Sequence, residues 1–152
     1  MAIALALHVL SAVIWVGGMF FAYVCLRPAA ATLLEPAERL RLWENVFTRF
    51  FPFVIAAIVV LIVSGHGLIA LYGGFAAVGK HVHMMLASGY LMIALFLHVY
   101  FAPFKRLKRF VAAENWSDAA HNLNQMRKLV GINLVLGLLT VVIASGGRFL
   151  LV

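Results

Sequence analysis

The fold class the sequence predicts is all-α, an integral membrane bundle of four helices running up and down. Two observations carry that reading. Of the 152 residues, 65% are hydrophobic and only 11% charged, against about 25% charged in soluble domains, a balance that excludes an ordinary water-soluble fold. In addition, four stretches without an acidic residue, 3–26, 50–72, 80–102 and 129–151, are each long enough to cross a hydrocarbon core, which takes about 20 helical residues. Each must be helical, because lipid cannot satisfy an unpaired backbone group. Residues 1–152 are read as a single transmembrane domain.

The first stretch has no basic segment ahead of it and no Ala-x-Ala site before Leu26-Arg27-Pro28, so it reads as a retained span and not a cleaved signal peptide. Ala22-Tyr23-Val24 ahead of Cys25 does not form a lipoprotein box. Cys25 is the one cysteine, which excludes an intramolecular disulfide. In the connection that follows, Pro36 suits a first helical turn, Glu38 favours its positive end, and Leu40, Trp43 and Phe47 recur at helical spacing. This predicts a surface helix along the membrane interface. The second and third stretches are joined by a short glycine-rich link, residues 73–79. Before the fourth, Ser117 or Asp118 is placed to cap a solvated helix through His121 to Lys128 that runs into the span.

Charge sets the topology. The two longer connections hold Arg27, Arg39, Arg41, Arg49, Lys105, Arg106, Lys108, Arg109, Arg127 and Lys128, ten of the twelve basic residues. The positive-inside rule puts both connections in the cytoplasm and places the termini and the 73–79 link on the periplasmic side of a bacterial inner membrane. These cations flank apolar runs and form no single basic face, so the excess of twelve Lys and Arg over five acids does not indicate nucleic acid.

No carboxylate lies inside a span, which leaves no buried acid for proton transfer and none to orient a histidine. Gly17-Gly18, Gly73-Gly74 and Gly146-Gly147 lack the strand and lysine of phosphate-binding loops and suit close helix packing. Histidine remains: His8, His66 and His83 come from three helices at one level, roughly 5–9 Å below the periplasmic boundary at 1.5 Å per residue. His8 shares a helical face with Ala12, Trp15, Met19 and Ala22, and His83 shares one with Ala87, Tyr90, Ala94 and His98. Asn133, Gly137, Thr140, Ala144 and Gly147 form a small-residue groove in the fourth helix. The pattern predicts an interior with room for a cofactor, His8, His66 and His83 being the candidate metal ligands. Taken singly, each histidine reads first as a hydrogen-bonded bridge between helices, and it is the three at one level that point to a bound metal or cofactor. His98, near the cytoplasmic end, pairs most simply with Asn133, and His81, turned about 200° from His83, reads as interfacial.

Two ligands suit such a cluster. A b-type haem would take two imidazoles on its iron, with its propionates near Lys80 and Arg148 and with Trp15 and Tyr90 lining the site. Copper would take imidazole and thioether, which His81-Val82-His83-Met84-Met85 supplies with Met19 deeper in the first helix.

The run Leu7-His8-Val9-Leu10-Ser11-Ala12-Val13-Ile14-Trp15-Val16-Gly17-Gly18-Met19-Phe20-Phe21 resembles the first helix of the copper resistance protein D (CopD) family. His81-Val82-His83, Leu97-His98-Val99-Tyr100 and Lys105-Arg106-Leu107-Lys108-Arg109-Phe110 resemble the third helix and basic loop of HemJ-type protoporphyrinogen oxidases. The second resemblance implies a haem-binding membrane oxidase, with ligands at His8 and His98. The chain departs from that pattern in having His83 where the family has a lysine. The first implies copper uptake into the cytoplasm. Together these lead to an expected inner-membrane haem b protein with a redox role, exchanging electrons with a lipid-soluble partner such as a quinone. A copper-binding or copper-import protein using the same histidines is the alternative, and a cofactor-free helical subunit the third reading. No catalytic residue is assigned, and whether the bundle forms a homodimer stays open.

Overall fold

The apolar stretches form helices, and the helices run well past the apolar stretches. The computed structural model describes residues 1–150; Leu151, Val152 and the side chains of Arg148 and Leu150 lie outside that description. Four continuous helices result: α1 (Ala2–Leu33), α2 (Pro36–Leu71), α3 (Lys80–Ala112) and α4 (Trp116–Leu150), with no strand among the described residues. They hold 32, 36, 33 and 35 residues, or about 48–54 Å of helix against a hydrocarbon core of about 30 Å. Each is long and apolar enough to span a bilayer.

The surplus length falls at one end, the end that carries the ten clustered basic residues. Both connections expected to be long there shrink to short turns, Leu34-Glu35 and residues 113–115. The expected surface helix is therefore the first three turns of α2, and Leu40, Trp43 and Phe47 are buried in the bundle instead of lying on lipid. Pro36 opens the helix as expected, and the Glu35 N–H donates to the Glu38 carboxylate at 3.2 Å in a capping box. Nothing after them halts the helix until Leu71, since Pro52 is accommodated inside it. At the head of α4 the cap is Asn115, not Ser117 or Asp118. Its Oδ1 accepts the Asp118 N–H at 3.2 Å while its amide donates to the Asp118 carboxylate at 2.9 Å.

Helix ends follow backbone chemistry. After α2, the Gly74 and Gly73 N–H groups donate to the Ile69 and Ala70 carbonyls, with φ of 91° and 97° at these two residues. This left-handed geometry is one that glycine adopts without strain. The same hydrogen-bond pattern ends α3, but there the left-handed residue is Glu114, φ 53°. Two helices widen locally into π-turns, Phe21–Leu26 in α1 and Tyr100–Phe104 in α3. Pro28 lies just beyond the first and Pro103 inside the second. Proline cannot donate to the preceding turn, and a widened turn absorbs the missing bond.

α1 packs along α2, and α3 along α4; α4 then touches both α1 and α2. The core is an aromatic column centred on Phe51, whose ring lies 5.1 Å from Phe47, 5.2 Å from Phe96 and 4.7 Å from Phe104. Trp15 closes on Phe96 edge to face at 6.1 Å. Toward the other end the core thins, and no residue of 1–10 or 80–91 is fully buried. That thin end carries His8, His66, His81 and His83.

Candidate functional site

At the thin end the histidines divide among three seams. His8 reaches across from α1 so that its Nδ1 lies 2.9 Å from the Ser64 hydroxyl on α2. Its ring lies over Gly65, where an added Cβ would come within 3.2 Å of it. Ser64 donates its own proton to the Val60 carbonyl, so the proton between the two side chains belongs to His8 Nδ1. His66, two residues beyond Ser64, is turned about 200° away on the same helix. Its Nδ1 donates to the Ile62 carbonyl at 2.9 Å. A carbonyl can only accept, so Nε2 keeps its lone pair, and this takes the Tyr90 hydroxyl proton at 3.1 Å from α3. His83 uses the same arrangement, with Nδ1 3.3 Å from the Gly79 carbonyl and the ring exposed. Phe75, in the glycine-rich link, lies near both, its ring centroid 6.3 Å from His66 and 6.4 Å from His83.

The structure thus brings His66, Tyr90, Phe75 and His83 into one neighbourhood and leaves His8 on another seam. The expected convergence of His8, His66 and His83 does not form, because Ser64 holds His8 on the face of α2 opposite His66. Among the described residues no three His, Cys, Asp or Glu side chains assemble as a metal site. His81, read as interfacial, packs against α4, where a Cβ on Gly147 would come within 2.8 Å of the His81 Cβ. His98 is exposed, and its expected partner Asn133 donates instead to the Met92 carbonyl at 3.3 Å. Trp15 is a core residue, 3% exposed, and Met19 is buried beside it. Lys80 is exposed, as is Met84, with Met85 half-buried. The Arg148 side chain lies outside the described residues.

These positions do not fit a haem. Its iron needs imidazoles that face one space wide enough for a macrocycle, whereas His8 is held on Ser64, apart from His66 and His83, and the His66 Nε2 is taken by the Tyr90 hydroxyl. Neither the cavity of about 370 Å³ at the basic end nor the one of about 20 Å³ beside Trp15 and Asn133 is lined by a histidine.

The larger cavity lies between α1, α2 and α4 and was missed by sequence reasoning. Tyr23, Trp43 and Trp116 form much of its wall, and Arg27, Arg39 and Arg127 line it too. Two of the arginines stand four residues from an aromatic residue on the same helix, Tyr23 with Arg27 and Arg39 with Trp43. That recurrence was the available signal. Ser64 and Phe75 carried none, being ordinary span and loop residues until the helices are packed.

Four apolar helices, thinly packed and histidine-bearing at one end and basic at the other, define a multi-pass membrane protein. More narrowly, the chain belongs to the copper resistance protein D family, whose family model matches residues 44–146. The match takes in His66, His81, His83 and His98 and begins after α1, so His8 lies outside it. No curated protein and no solved structure matches the chain.

Proposed function

We propose that the chain handles copper in a bacterial inner membrane, taking Cu(I) as cargo at the thin end through His66 and His83, with a thioether from Met84 or Met85 beside them. One observation carries the reading. Both histidines commit Nδ1 to a main-chain carbonyl one turn back, so in both the lone pair is on Nε2, and both rings lie beside Phe75. Metal-binding histidines use this device, since tying down one ring nitrogen fixes the tautomer and the ring orientation. Imidazole and thioether suit copper, and family membership favours copper over haem b. On this reading the cluster faces the periplasm, because the clustered arginines and lysines at the opposite end are the cytoplasmic kind.

Full-length protein in neutral detergent, titrated with Cu(I) against a chromogenic chelator, tests this directly. One bound Cu(I) per chain is expected, with binding weakened at least about tenfold, or about 1.4 kcal/mol, in His66→Ala and in His83→Ala. His8→Ala and His98→Ala should bind as the parent does. Parent-like binding by the His66→Ala/His83→Ala double variant would overturn the assignment.

A further inference from the structure

We infer that the cavity at the basic end is a binding site for one anionic phospholipid of the surrounding bilayer, its phosphate held by Arg27, Arg39 and Arg127 and an acyl chain laid along Tyr23 and Trp43. The cavity, about 370 Å³, falls in the range of about 300–1,000 Å³ usual for small-molecule sites. Its lining includes three arginines and no acidic residue. Among the described residues the one ion pair is Arg41–Glu114, so none of the three arginines has its charge matched by the protein. Arg27 lies over the Tyr23 ring at 5.0 Å, which leaves its N–H fork free for a phosphate.

Placement points to a lipid and not a soluble anion. Arg27 follows the first apolar stretch directly and Arg127 precedes the fourth by two residues, the level at which phospholipid head groups lie. The rest of the wall is apolar: Ala22, Leu40, Phe47 and Val130 continue the surface inward from the arginines. A free phosphate would leave that surface unused, and a neutral quinone would leave three cations unmatched. The wall is also shaped for the purpose. The π-turn Phe21–Leu26 includes Tyr23, and the ring fits against Gly131 of α4, where an added Cβ would lie 3.0 Å from it. Widened turns of this kind recur at binding sites.

Native mass spectrometry of the full chain in neutral detergent, with phosphatidylglycerol, phosphatidylcholine or inorganic phosphate added separately, tests the site. One retained phosphatidylglycerol is expected, with phosphatidylcholine and inorganic phosphate binding at least about tenfold more weakly. A juxtamembrane cation contributes about fivefold to binding an anionic lipid, so Arg27→Gln/Arg39→Gln/Arg127→Gln should weaken phosphatidylglycerol about 100-fold. Arg106→Gln/Lys108→Gln/Arg109→Gln removes the same charge from outside the cavity and should leave binding within about threefold. Ala120→Trp fills the cavity without changing charge and should abolish retention, while its lipid-free melting temperature reports that it folds. Equal retention of phosphatidylglycerol and phosphatidylcholine, equal loss in the two triple variants, binding of inorganic phosphate alone, or undiminished binding by folded Ala120→Trp would each overturn the proposal.

Discussion

Replacing Tyr90 by Phe should tighten Cu(I) binding, a result opposite to the usual effect of deleting a polar group near a metal site. The Tyr90 hydroxyl occupies the His66 Nε2 lone pair at 3.1 Å, the same electrons a metal needs. Binding through His66 must first break this hydrogen bond. Such bonds contribute about 0.5–1.5 kcal/mol in proteins, and interhelical ones in membranes average about 0.6 kcal/mol. Tyr90 is 46% exposed within the third span, where lipid offers its freed hydroxyl no partner, so about 0.6–1.4 kcal/mol applies. Removing the competitor by Tyr90→Phe should therefore strengthen Cu(I) binding about threefold to tenfold in the chelator competition, with His66 as the residue through which it acts. In a His66→Ala background the same change should do nothing. Weaker binding by Tyr90→Phe would refute the reasoning, since it would make the hydroxyl a support for the site and not a rival.

Two further outcomes follow from packing. Phe51→Ala removes three ring contacts within 5.2 Å, each contributing about 0.5–1.5 kcal/mol, so unfolding in mixed micelles should become easier by about 1.5–4.5 kcal/mol. Phe53→Ala, two residues on and 64% exposed, should change it by less than about 0.5 kcal/mol. Gly147→Ala sets a methyl group 2.8 Å from the His81 Cβ, an atom too close to the backbone to swing aside, and thermal unfolding should register a loss of about 1–3 kcal/mol. Gly67→Ala has nothing within 4 Å and should gain up to about 1 kcal/mol from helix propensity.

The spans were legible because lipid imposes a length and an apolar composition that the four stretches meet independently of tertiary contacts. What lies beyond them was not. Leu40, Trp43 and Phe47 show helical spacing whether the stripe meets lipid head groups or a neighbouring helix, and only the packed bundle reveals which. The two-residue turn at Leu34-Glu35 is likewise hidden inside a connection that composition alone makes look long. Depth could be counted from the sequence, but azimuth could not be compared across helices. His8, His66 and His83 share a level, yet one step of about 200° between Ser64 and His66 decides that His8 and His66 face different neighbours. The same ambiguity exchanged His81 and His83, since their relative rotation was readable and the identity of the inward one was not.

The unequal distribution of the core has a mechanical corollary. Tight turns and the packed rings around Phe51 hold the helices together at one end, while the other end has no fully buried residue over residues 1–10 or over 80–91 of α3. The aromatic column then acts as a fulcrum and the outer segments as lever arms. His66 lies 15 positions from Phe51 on α2, about 22 Å of arm, so a pivot of about 5° at the rings displaces its imidazole by about 2 Å. A small tilt near the arginine-rich end would by this geometry be magnified where the histidines stand, and would change the gap between His66 and His83 more than any spacing at the rings themselves.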